Sequence, residues 1–194
     1  MTNGCKLLCG LLIALTAGIS PRISYAATAV FAGGCFWCME QAFEELEGVS
    51  EAISGFTGGT LKNPTYNGDH RGHYEAIRID YDPNRVSYDD LLKHYWRNID
   101  PFDDRGQFCD KGFSYRAAIF TASPDEQAKA SASLAGVQES FPDKKVVTQI
   151  LPANTFWPVE EYHQDYYLKN PLRYRYYKSR CGRYKRLQEL WGNK

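Results

Sequence analysis

Hydrophobic and polar positions follow two different periods along the chain, and each period predicts a different element. After Cys35, apolar side chains recur at helical spacing, at Phe36, Met39, Phe43 and Leu46. Residues 74–81 instead alternate between polar and apolar side chains, as a strand with one buried face does. The pattern therefore predicts helices and strands that each bury one face.

Capping signals add two further helices. Ser87, with Asp90 three residues later, forms a capping-box pattern, and the helix it opens ends at Asp100-Pro101. The same pattern recurs at Ser123 and Glu126, ahead of another helix. The remaining predicted elements are strands over 30–32, 115–121 and 146–151, a loop over 103–111 and a helix over 158–169.

The order of these elements indicates one domain of the α+β class. Helices and strands alternate without an internal repeat, a low-complexity tract or a Pro/Ser-rich linker, and 194 residues suit a single domain. A sheet covered by helices, in the α+β or split βαβ manner, is the architecture that this order predicts. We expect the domain to occupy residues 27–194.

Residues 1–26 are expected to be a signal peptide. Lys6 precedes an apolar stretch from Leu7 to Ile19, and Ser24-Tyr25-Ala26 supplies a small-x-small end. The alternative is a retained membrane anchor, but the stretch is shorter than the roughly 20 residues that span a bilayer. Cleavage after Ala26 predicts an exported protein, periplasmic or secreted, in a compartment that oxidises cysteines.

The composition argues against nucleic acid and acidic membranes as partners, but it does not indicate a function. The chain has 23 basic and 23 acidic residues, so no global charge favours nucleic acid or an acidic membrane surface. Seven of the 14 tyrosines fall between Tyr162 and Tyr184, among basic residues. One interpretation of that segment is a groove for single-stranded nucleic acid. The interpretation that we favour is a coil-rich C-terminal tail with packed tyrosines and solvated arginines.

Four cysteines follow the expected signal peptide: Cys35, Cys38, Cys109 and Cys181. Their spacing allows three pairings and does not choose among them. A structural disulfide framework is one interpretation, although a domain of this size does not need one to be stable. Redox chemistry is the other interpretation, and the surroundings of Cys35 favour it.

Cys35 lies where a predicted strand turns into a predicted helix. Gly33-Gly34 predicts a tight turn that lets a substrate approach the backbone, and Cys35 then occupies the helix N-terminus. Free N–H groups and the positive end of the helix dipole favour a thiolate there, so we expect the pKa of Cys35 to be lowered. Cys38 follows one helical turn later, within disulfide reach.

Gly33-Gly34-Cys35-Phe36-Trp37 is the first of five motifs, and it resembles the nucleophile motif of the A-type peptide methionine sulfoxide reductases. Four further segments resemble that family in the same order: Gly58-Gly59 with Asn63-Pro64-Thr65-Tyr66, Gly72-His73-Tyr74-Glu75, Asp110-Lys111-Gly112 with Tyr115-Arg116, and Glu161-Tyr162-His163-Gln164 with Lys169-Asn170-Pro171. Any one of these is weak, whereas five in order are strong.

The resemblance implies a peptide-methionine (S)-S-oxide reductase, which reduces the S epimer of methionine sulfoxide, free or in proteins, and so repairs oxidised proteins. It also implies a two-layer α/β domain related to the ferredoxin-like split βαβ arrangement. By the same resemblance, Cys35 would be the nucleophile and Glu75 the proton donor. The other site residues that it implies are Tyr66 and Tyr115 on the sulfoxide oxygen, Asp110 in support of them, and Phe36 and Trp37 around the S-methyl group.

The chemistry of a sulfoxide requires these residue types. Its oxygen is a poor leaving group until it is protonated, so attack by the Cys35 thiolate needs an acid such as Glu75 beside that oxygen. Two phenols can stabilise the oxygen as charge develops on it. Methionine then leaves and Cys35 becomes a sulfenic acid. A second thiol must convert the sulfenic acid into a disulfide, which an external dithiol reduces.

The resolving cysteine stays open among three candidates. In the family it usually lies in the C-terminal tail, which favours Cys181. Cys38 is next because the helix brings it near Cys35, and Cys109 is third because it adjoins Asp110. We expect one of the three to resolve Cys35 and another to relay the disulfide to the surface.

Three other interpretations compete with this one. A thioredoxin-like exchanger would use Cys35 and Cys38 and would not need Glu75. A zinc site at Cys35, Cys38, His70 and His73 has tolerable spacing, but a long segment separates its two halves. A secreted binding domain with two structural disulfides would have no free thiol.

The resemblance implies neither a cofactor nor a metal. It implies a thioredoxin-like reductant in the same compartment as the partner, and methionine sulfoxide in oxidised proteins as the substrate. We expect no binding of nucleic acid and no stable membrane insertion after cleavage. We also expect a monomer.

Overall fold

A computed structural model of the protein describes Met1 and residues 26–192, so nearly all of the predicted signal peptide lies outside the described residues. The strands are β1 (Ala27–Gly33), β2 (Val49–Thr57), β3 (Tyr74–Tyr81), β4 (Gly106–Gln107), β5 (Asp110–Lys111), β6 (Ala117–Thr121), β7 (Gln149–Pro152) and β8 (Trp157–Pro158). The helices are α1 (Phe36–Glu44), α2 (Tyr88–Arg97), α3 (Pro124–Ser140), α4 (Tyr166–Lys169), α5 (Pro171–Arg180) and α6 (Arg183–Trp191). Across residues 26–192, no helix has the length and apolar character needed to cross a bilayer.

A mixed six-stranded sheet forms the centre of the domain, in the order β7-β6-β1-β3-β2-β8. Neighbouring strands are antiparallel except for β6 and β7, which are parallel. Strand β3 lies between β1 and β2, so that Phe31 is opposite Ile77 and Phe56 is opposite Glu75. Because β1 and β3 are antiparallel, Cys35, just after the end of β1, lies at the same end of the sheet as Glu75, near the start of β3.

Helix α1 buries three of the four apolar side chains that its period predicted, whereas Leu46 lies beyond the end of the helix and is only partly buried. Phe36, Met39 and Phe43 are all buried, and they join Phe31 and Ile77 of the sheet in the main core. Each such side chain contributes about 1.5–3 kcal/mol through burial. The start of α1 is therefore fixed against the sheet by packing.

The capping box of α2 is confirmed. The Ser87 side chain accepts a hydrogen bond from the Asp90 N–H, and the Asp90 side chain accepts one from the Ser87 N–H. Residues 74–81 form β3 as predicted, and the helix predicted after Ser123 is α3.

Three predicted segments differ from the structure. The loop expected over 103–111 contains the hairpin of β4 and β5. The helix expected over 158–169 is wrong before Tyr166, because Asp165 adopts a left-handed conformation with φ 52° that interrupts it. The coil-rich tail is also wrong. Pro171 opens α5, no glycine follows until Gly182, and the intervening residues are helical.

Candidate active site

Cys35 lies at the point predicted for it, at the N-cap of α1. Gly34 precedes it with φ +85°, a conformation that favours glycine, and Gln107 packs where a β-carbon of residue 34 would be. The carbonyl of Cys35 accepts hydrogen bonds from the N–H groups of Cys38 and Met39, at 3.1 and 3.3 Å. The strand, the glycine turn and the first helical turn together fix the position of this thiol.

A small pocket opens beside Cys35, and it brings together side chains from six parts of the chain. Its lining residues are Cys35, Phe36, Trp37, Tyr66, Glu75, Asp110, Tyr115 and Tyr177. The first seven are the site residues predicted from the sequence, apart from the resolving cysteine. Residues far apart in sequence therefore converge on one thiol.

Glu75 supplies a buried carboxyl group to this pocket. It lies on β3 and is only 2% exposed. Burial raises the pKa of Glu75 to about 8, and hydrogen bonds from the Phe36 N–H and Tyr115 oppose that rise. At neutral pH the group is therefore mostly protonated and can donate a proton.

Two phenols face the same space. Burial and the neighbouring Glu75 raise the pKa of Tyr66 to about 12, and the same two causes raise the pKa of Tyr115. Both side chains therefore keep their hydroxyl protons at physiological pH. Two O–H donors beside a buried acid suit an oxygen atom on which negative charge develops.

Cys35 and Cys38 are both free thiols, and both are buried. Burial raises the pKa of Cys35, so the lowered value expected from the helix N-terminus is wrong. Desolvation of a charge outweighs the helix dipole at this site. A hydrogen bond from Cys35 lowers the pKa of Cys38 to about 6. The two thiols therefore share their protons as a pair.

Tyr177 of α5 is the pocket residue that the sequence did not indicate. Its hydroxyl donates a hydrogen bond to Asp110 Oδ2 at 2.5 Å. A single tyrosine among 14 gives no signal by itself, but Tyr177 lies four residues, about one helical turn, before Cys181. The C-terminal helices therefore form part of the pocket wall.

Cys109 and Cys181 are joined by a disulfide. Because Cys35 and Cys38 remain free, the interpretation as a binding domain with two structural disulfides is wrong. Cys109 is exposed at the turn between β4 and β5, and Cys181 directly follows α5. The disulfide therefore ties the hairpin that carries Asp110 to the helix that carries Tyr177.

Trp37 is fixed by the segment between β8 and α5. Its indole ring stacks on Tyr166 with ring centroids 3.8 Å apart, and its Nε1–H donates to His163 Nδ1 at 3.1 Å. Phe36 and Tyr66 approach each other at 6.1 Å between ring centroids. The pocket wall beside Cys35 is therefore aromatic and held in place by neighbouring rings.

The zinc alternative fails because His73 has no ring nitrogen left for a metal. Its Nδ1 accepts from the Gly59 N–H at 3.3 Å, and its Nε2 lies 2.9 Å from the Leu61 carbonyl oxygen. Across the part of the chain that the structure describes, His70 and His73 do not cluster with Cys35 and Cys38 in metal-binding geometry.

Comparisons with known proteins agree on one family. The family described as Peptide methionine sulfoxide reductase matches residues 27–194. A relative from Caulobacter vibrioides, Peptide methionine sulfoxide reductase MsrA 2, is 50% identical over 168 residues, which cover 85% of this chain and 85% of that protein.

Solved structures share the fold. Methionine sulfoxide reductase A of Corynebacterium diphtheriae is similar with a TM-score of 0.66 and 29% identity, over 78% of each chain. Mxr1 from Saccharomyces cerevisiae, solved in complex with Trx2, is similar in fold alone. Its TM-score is 0.54 with 18% identity, over 77% of this chain and 91% of that chain.

Proposed function

The chain belongs to the peptide methionine sulfoxide reductase family, and we propose that it reduces the S epimer of methionine sulfoxide, free or within proteins, in the pocket beside Cys35. It is a thiol-dependent oxidoreductase that returns methionine sulfoxide to methionine. The observation that carries the assignment of the site is the convergence of a buried thiol, a buried carboxyl group and two phenols on one pocket.

The reaction begins at the sulfoxide sulfur. Cys35 gives its proton to Cys38 and attacks this sulfur as a thiolate, while Glu75 donates a proton to the oxygen and Tyr66 and Tyr115 donate hydrogen bonds to it. The oxygen passes to the Cys35 sulfur as the S–O bond of the substrate and the transient bond between the two sulfurs break, so that methionine leaves and Cys35 becomes a sulfenic acid. Asp110 supports the site through the hydroxyl of Tyr177.

Phe36 and Trp37 form the pocket for the S-methyl group. Phe36 is buried, and Trp37 is fixed by Tyr166 and His163, so the two rings present an apolar surface of fixed shape next to Cys35. An aromatic wall accepts a small apolar methyl group more readily than a polar substituent.

Cys38 is the resolving residue in this proposal, in place of Cys181. Cys38 lies one helical turn from Cys35 and is a free, buried thiol. It attacks the sulfenic sulfur of Cys35, a disulfide forms, and the proton of Cys38 leaves with the hydroxyl group as water. Cys181, which the family resemblance favoured, is held by Cys109 in the structure.

The Cys109–Cys181 pair transfers the disulfide from the pocket to the surface of the protein. When both are thiols, Cys181 attacks the Cys35–Cys38 disulfide and Cys109 then displaces the mixed disulfide. The product of these two exchanges has Cys35 and Cys38 free and Cys109 bonded to Cys181, which is the bonding of this structure. A thioredoxin-like dithiol would then reduce the exposed bond. The Mxr1 complex with Trx2 supports a partner of that class.

Export is a further part of the proposal. Residues 1–26 would direct the protein to the periplasm or outside the cell and would be removed there, leaving residues 27–194 as a monomeric domain. The position of β3 between β1 and β2 supports the expected relation to the split βαβ arrangement.

The test compares both sulfoxide epimers of a blocked methionine, with dithiothreitol as reductant, in the parent protein and in Cys35→Ser. Turnover of the S epimer alone, abolished in Cys35→Ser, is the expected result. A Tyr176→Phe variant is the matched control, because Tyr176 is an exposed residue that does not line the pocket. Turnover of neither epimer by the parent protein, or turnover retained in Cys35→Ser, would contradict the proposal.

A further inference from the structure

The Cys109–Cys181 disulfide has a carboxyl group that faces both of its sulfurs. Asp110 Oδ1 lies 3.7 Å from Cys109 Sγ, and Asp110 Oδ2 lies 3.7 Å from Cys181 Sγ. Because each oxygen approaches a different sulfur, either sulfur would meet a carboxyl oxygen when the bond between them breaks.

We propose that Asp110 is the general acid and base for thiol–disulfide exchange at Cys109–Cys181, in addition to its place in the pocket beside Cys35. This inference rests on the proposed function, which supplies the external dithiol. It makes the disulfide a second reaction centre, and Asp110 the residue that the two centres share.

The first exchange begins at the exposed sulfur. A thiolate of the external dithiol attacks Cys109 Sγ, the bond to Cys181 breaks, and a mixed disulfide joins the reductant to Cys109. The electron pair passes to Cys181 Sγ, which takes the proton of the Asp110 carboxyl group. Asp110 is left as a carboxylate.

The second exchange restores the acid. The remaining thiol of the reductant gives its proton to Asp110 and attacks its own mixed-disulfide sulfur, which releases Cys109 as a thiolate. Asp110 protonates that thiolate. It then takes a proton from solvent, which balances the proton that the first thiol of the reductant released to solvent when it ionised. Two electrons and two protons have then passed from the dithiol to Cys109 and Cys181.

The protonation state of Asp110 determines how fast Cys181 leaves as the disulfide breaks. A carboxylate fixed 3.7 Å from a departing thiolate repels it, whereas a carboxylic acid neutralises it. The backbone N–H of Cys109 also donates to Cys181 Sγ, at 3.2 Å, and so favours the charge on that sulfur. Cys181 is therefore the better leaving group of the two.

Several groups face Asp110 and set its titration. Burial raises the pKa of Asp110, while the Tyr177 hydroxyl, Arg183 and Lys111 act in the opposite direction. Across the pocket, Glu75, Tyr66 and Tyr115 all interact electrostatically with Asp110. Because the Tyr177 hydroxyl contacts the carboxylate as a neutral donor, its removal changes the titration without removing a charge.

The test isolates the second centre in the full-length Cys35→Ser, Cys38→Ser protein, oxidised at Cys109 and Cys181. The rate constant of reduction by dithiothreitol is measured from pH 5 to pH 9 and divided by the dithiothreitol thiolate concentration. We expect this normalised rate constant to fall as pH rises and Asp110 ionises. We expect Asp110→Asn to lower it about tenfold or more at the acidic end and to flatten the profile.

Two further variants make the result specific. Tyr177→Phe removes the donor to Asp110 and should shift the fall to higher pH, which a merely structural role would not do. Asp104→Asn is the matched control, because Asp104 is an exposed carboxylate in the same loop that neither pairs with Lys111 nor contacts either sulfur in the described structure. Its profile should match that of the parent.

Two outcomes would overturn the inference: an Asp110→Asn rate equal to the parent rate at every pH, or a Tyr177→Phe profile that coincides with that of the parent. If Asp110→Asn does not fold, the Tyr177→Phe profile still decides. Because this protein lacks Cys35, the result is independent of sulfoxide turnover. Failure of the proposed function would appear only in the assay with Cys35 present.

Discussion

The backbone N–H of Phe36 donates a hydrogen bond to Glu75 Oε2 at 3.2 Å, and the bond is buried. It joins the first residue of α1, next to Cys35, to β3 in the middle of the sheet. The proposed nucleophile and the proposed acid are therefore held in one geometry by the backbone. The bond from Phe36 uses one carboxyl oxygen, and Tyr115 also donates a hydrogen bond to the carboxyl group.

Replacing Glu75 with Gln should remove the acid while preserving this geometry. The Gln side-chain oxygen can still accept the hydrogen bond from Phe36, but the amide does not donate a proton as an acid does. We expect kcat for the S epimer to fall about 10²- to 10⁴-fold, the usual contribution of general acid catalysis. Steady-state kinetics with dithiothreitol measures this fall. A loss of less than threefold would contradict the role of Glu75 as proton donor.

The pH dependence of the parent protein should follow the same group. Burial raises the pKa of Cys35 and raises that of Glu75 to about 8, so the rate of sulfoxide reduction should rise with thiolate formation and then level off as Glu75 loses its proton above about pH 8. Single-turnover rates across pH 6–10 separate this chemical step from reduction of the disulfide. A rate that keeps rising to pH 10, in step with thiol ionisation alone, would assign the proton to another source.

The Glu75→Gln variant should lose less stability than the parent protein as the solution becomes alkaline. The pKa of Glu75 is raised in the folded protein, so its contribution to stability is complete below its pKa of about 4.5 in the unfolded chain and is lost as pH rises through about 8. Gln does not ionise, so Glu75→Gln should gain about 4–5 kcal/mol over the parent at pH 9 relative to pH 4. Urea unfolding at the two pH values measures the difference. Equal pH dependence in both proteins would show that Glu75 is not desolvated.

Local signals predicted much of the fold. The alternating residues 74–81 coincide with β3, and the capping pair Ser87 and Asp90 coincides with the start of α2, because both signals depend on near neighbours in sequence. Strand β2 escaped prediction because Ser54 and Gly55 interrupt its apolar residues and both of its faces are largely buried. Strands β4 and β5 have two residues each, too few to show a period.

The family motifs predicted most residues of the site. The sequence did not predict the long-range contacts that complete it. Pairing of Cys109 with Cys181 depends on a contact across 72 residues, and spacing does not determine such a contact. Tyr177 lines the pocket from α5, where its hydroxyl donates to Asp110, a contact between residues 67 apart in sequence. The pKa of Cys35 was predicted with the wrong sign because the sequence shows the helix N-terminus but not the degree of burial.

Cys38→Ser should separate the resolving step from the chemical step. If Cys38 resolves Cys35, this variant should release about one methionine per protein in a single turnover and accumulate the Cys35 sulfenic acid, because Cys109 and Cys181, the other cysteines of residues 26–192, are held in a disulfide. Trapping with dimedone and mass spectrometry measures the sulfenic acid. In contrast, a Cys109→Ser, Cys181→Ser protein should still form the Cys35–Cys38 disulfide at the parent rate. A Cys35–Cys181 disulfide in Cys38→Ser would restore Cys181 as the resolving residue.

Breaking the Cys109–Cys181 bond should destabilise the domain by the amount expected for a long closed loop. The two cysteines are 72 residues apart, and a crosslink of that length contributes about 2–4 kcal/mol, largely by restricting the unfolded chain. The Cys109→Ser, Cys181→Ser protein should lose this free energy of unfolding in urea. Reduction of the parent protein by dithiothreitol breaks the same bond without any substitution and should give the same loss. A loss below about 0.5 kcal/mol in both cases would mean that non-covalent contacts, such as the ion pair between Arg186 and Asp100, hold the C-terminal helices in place without the disulfide.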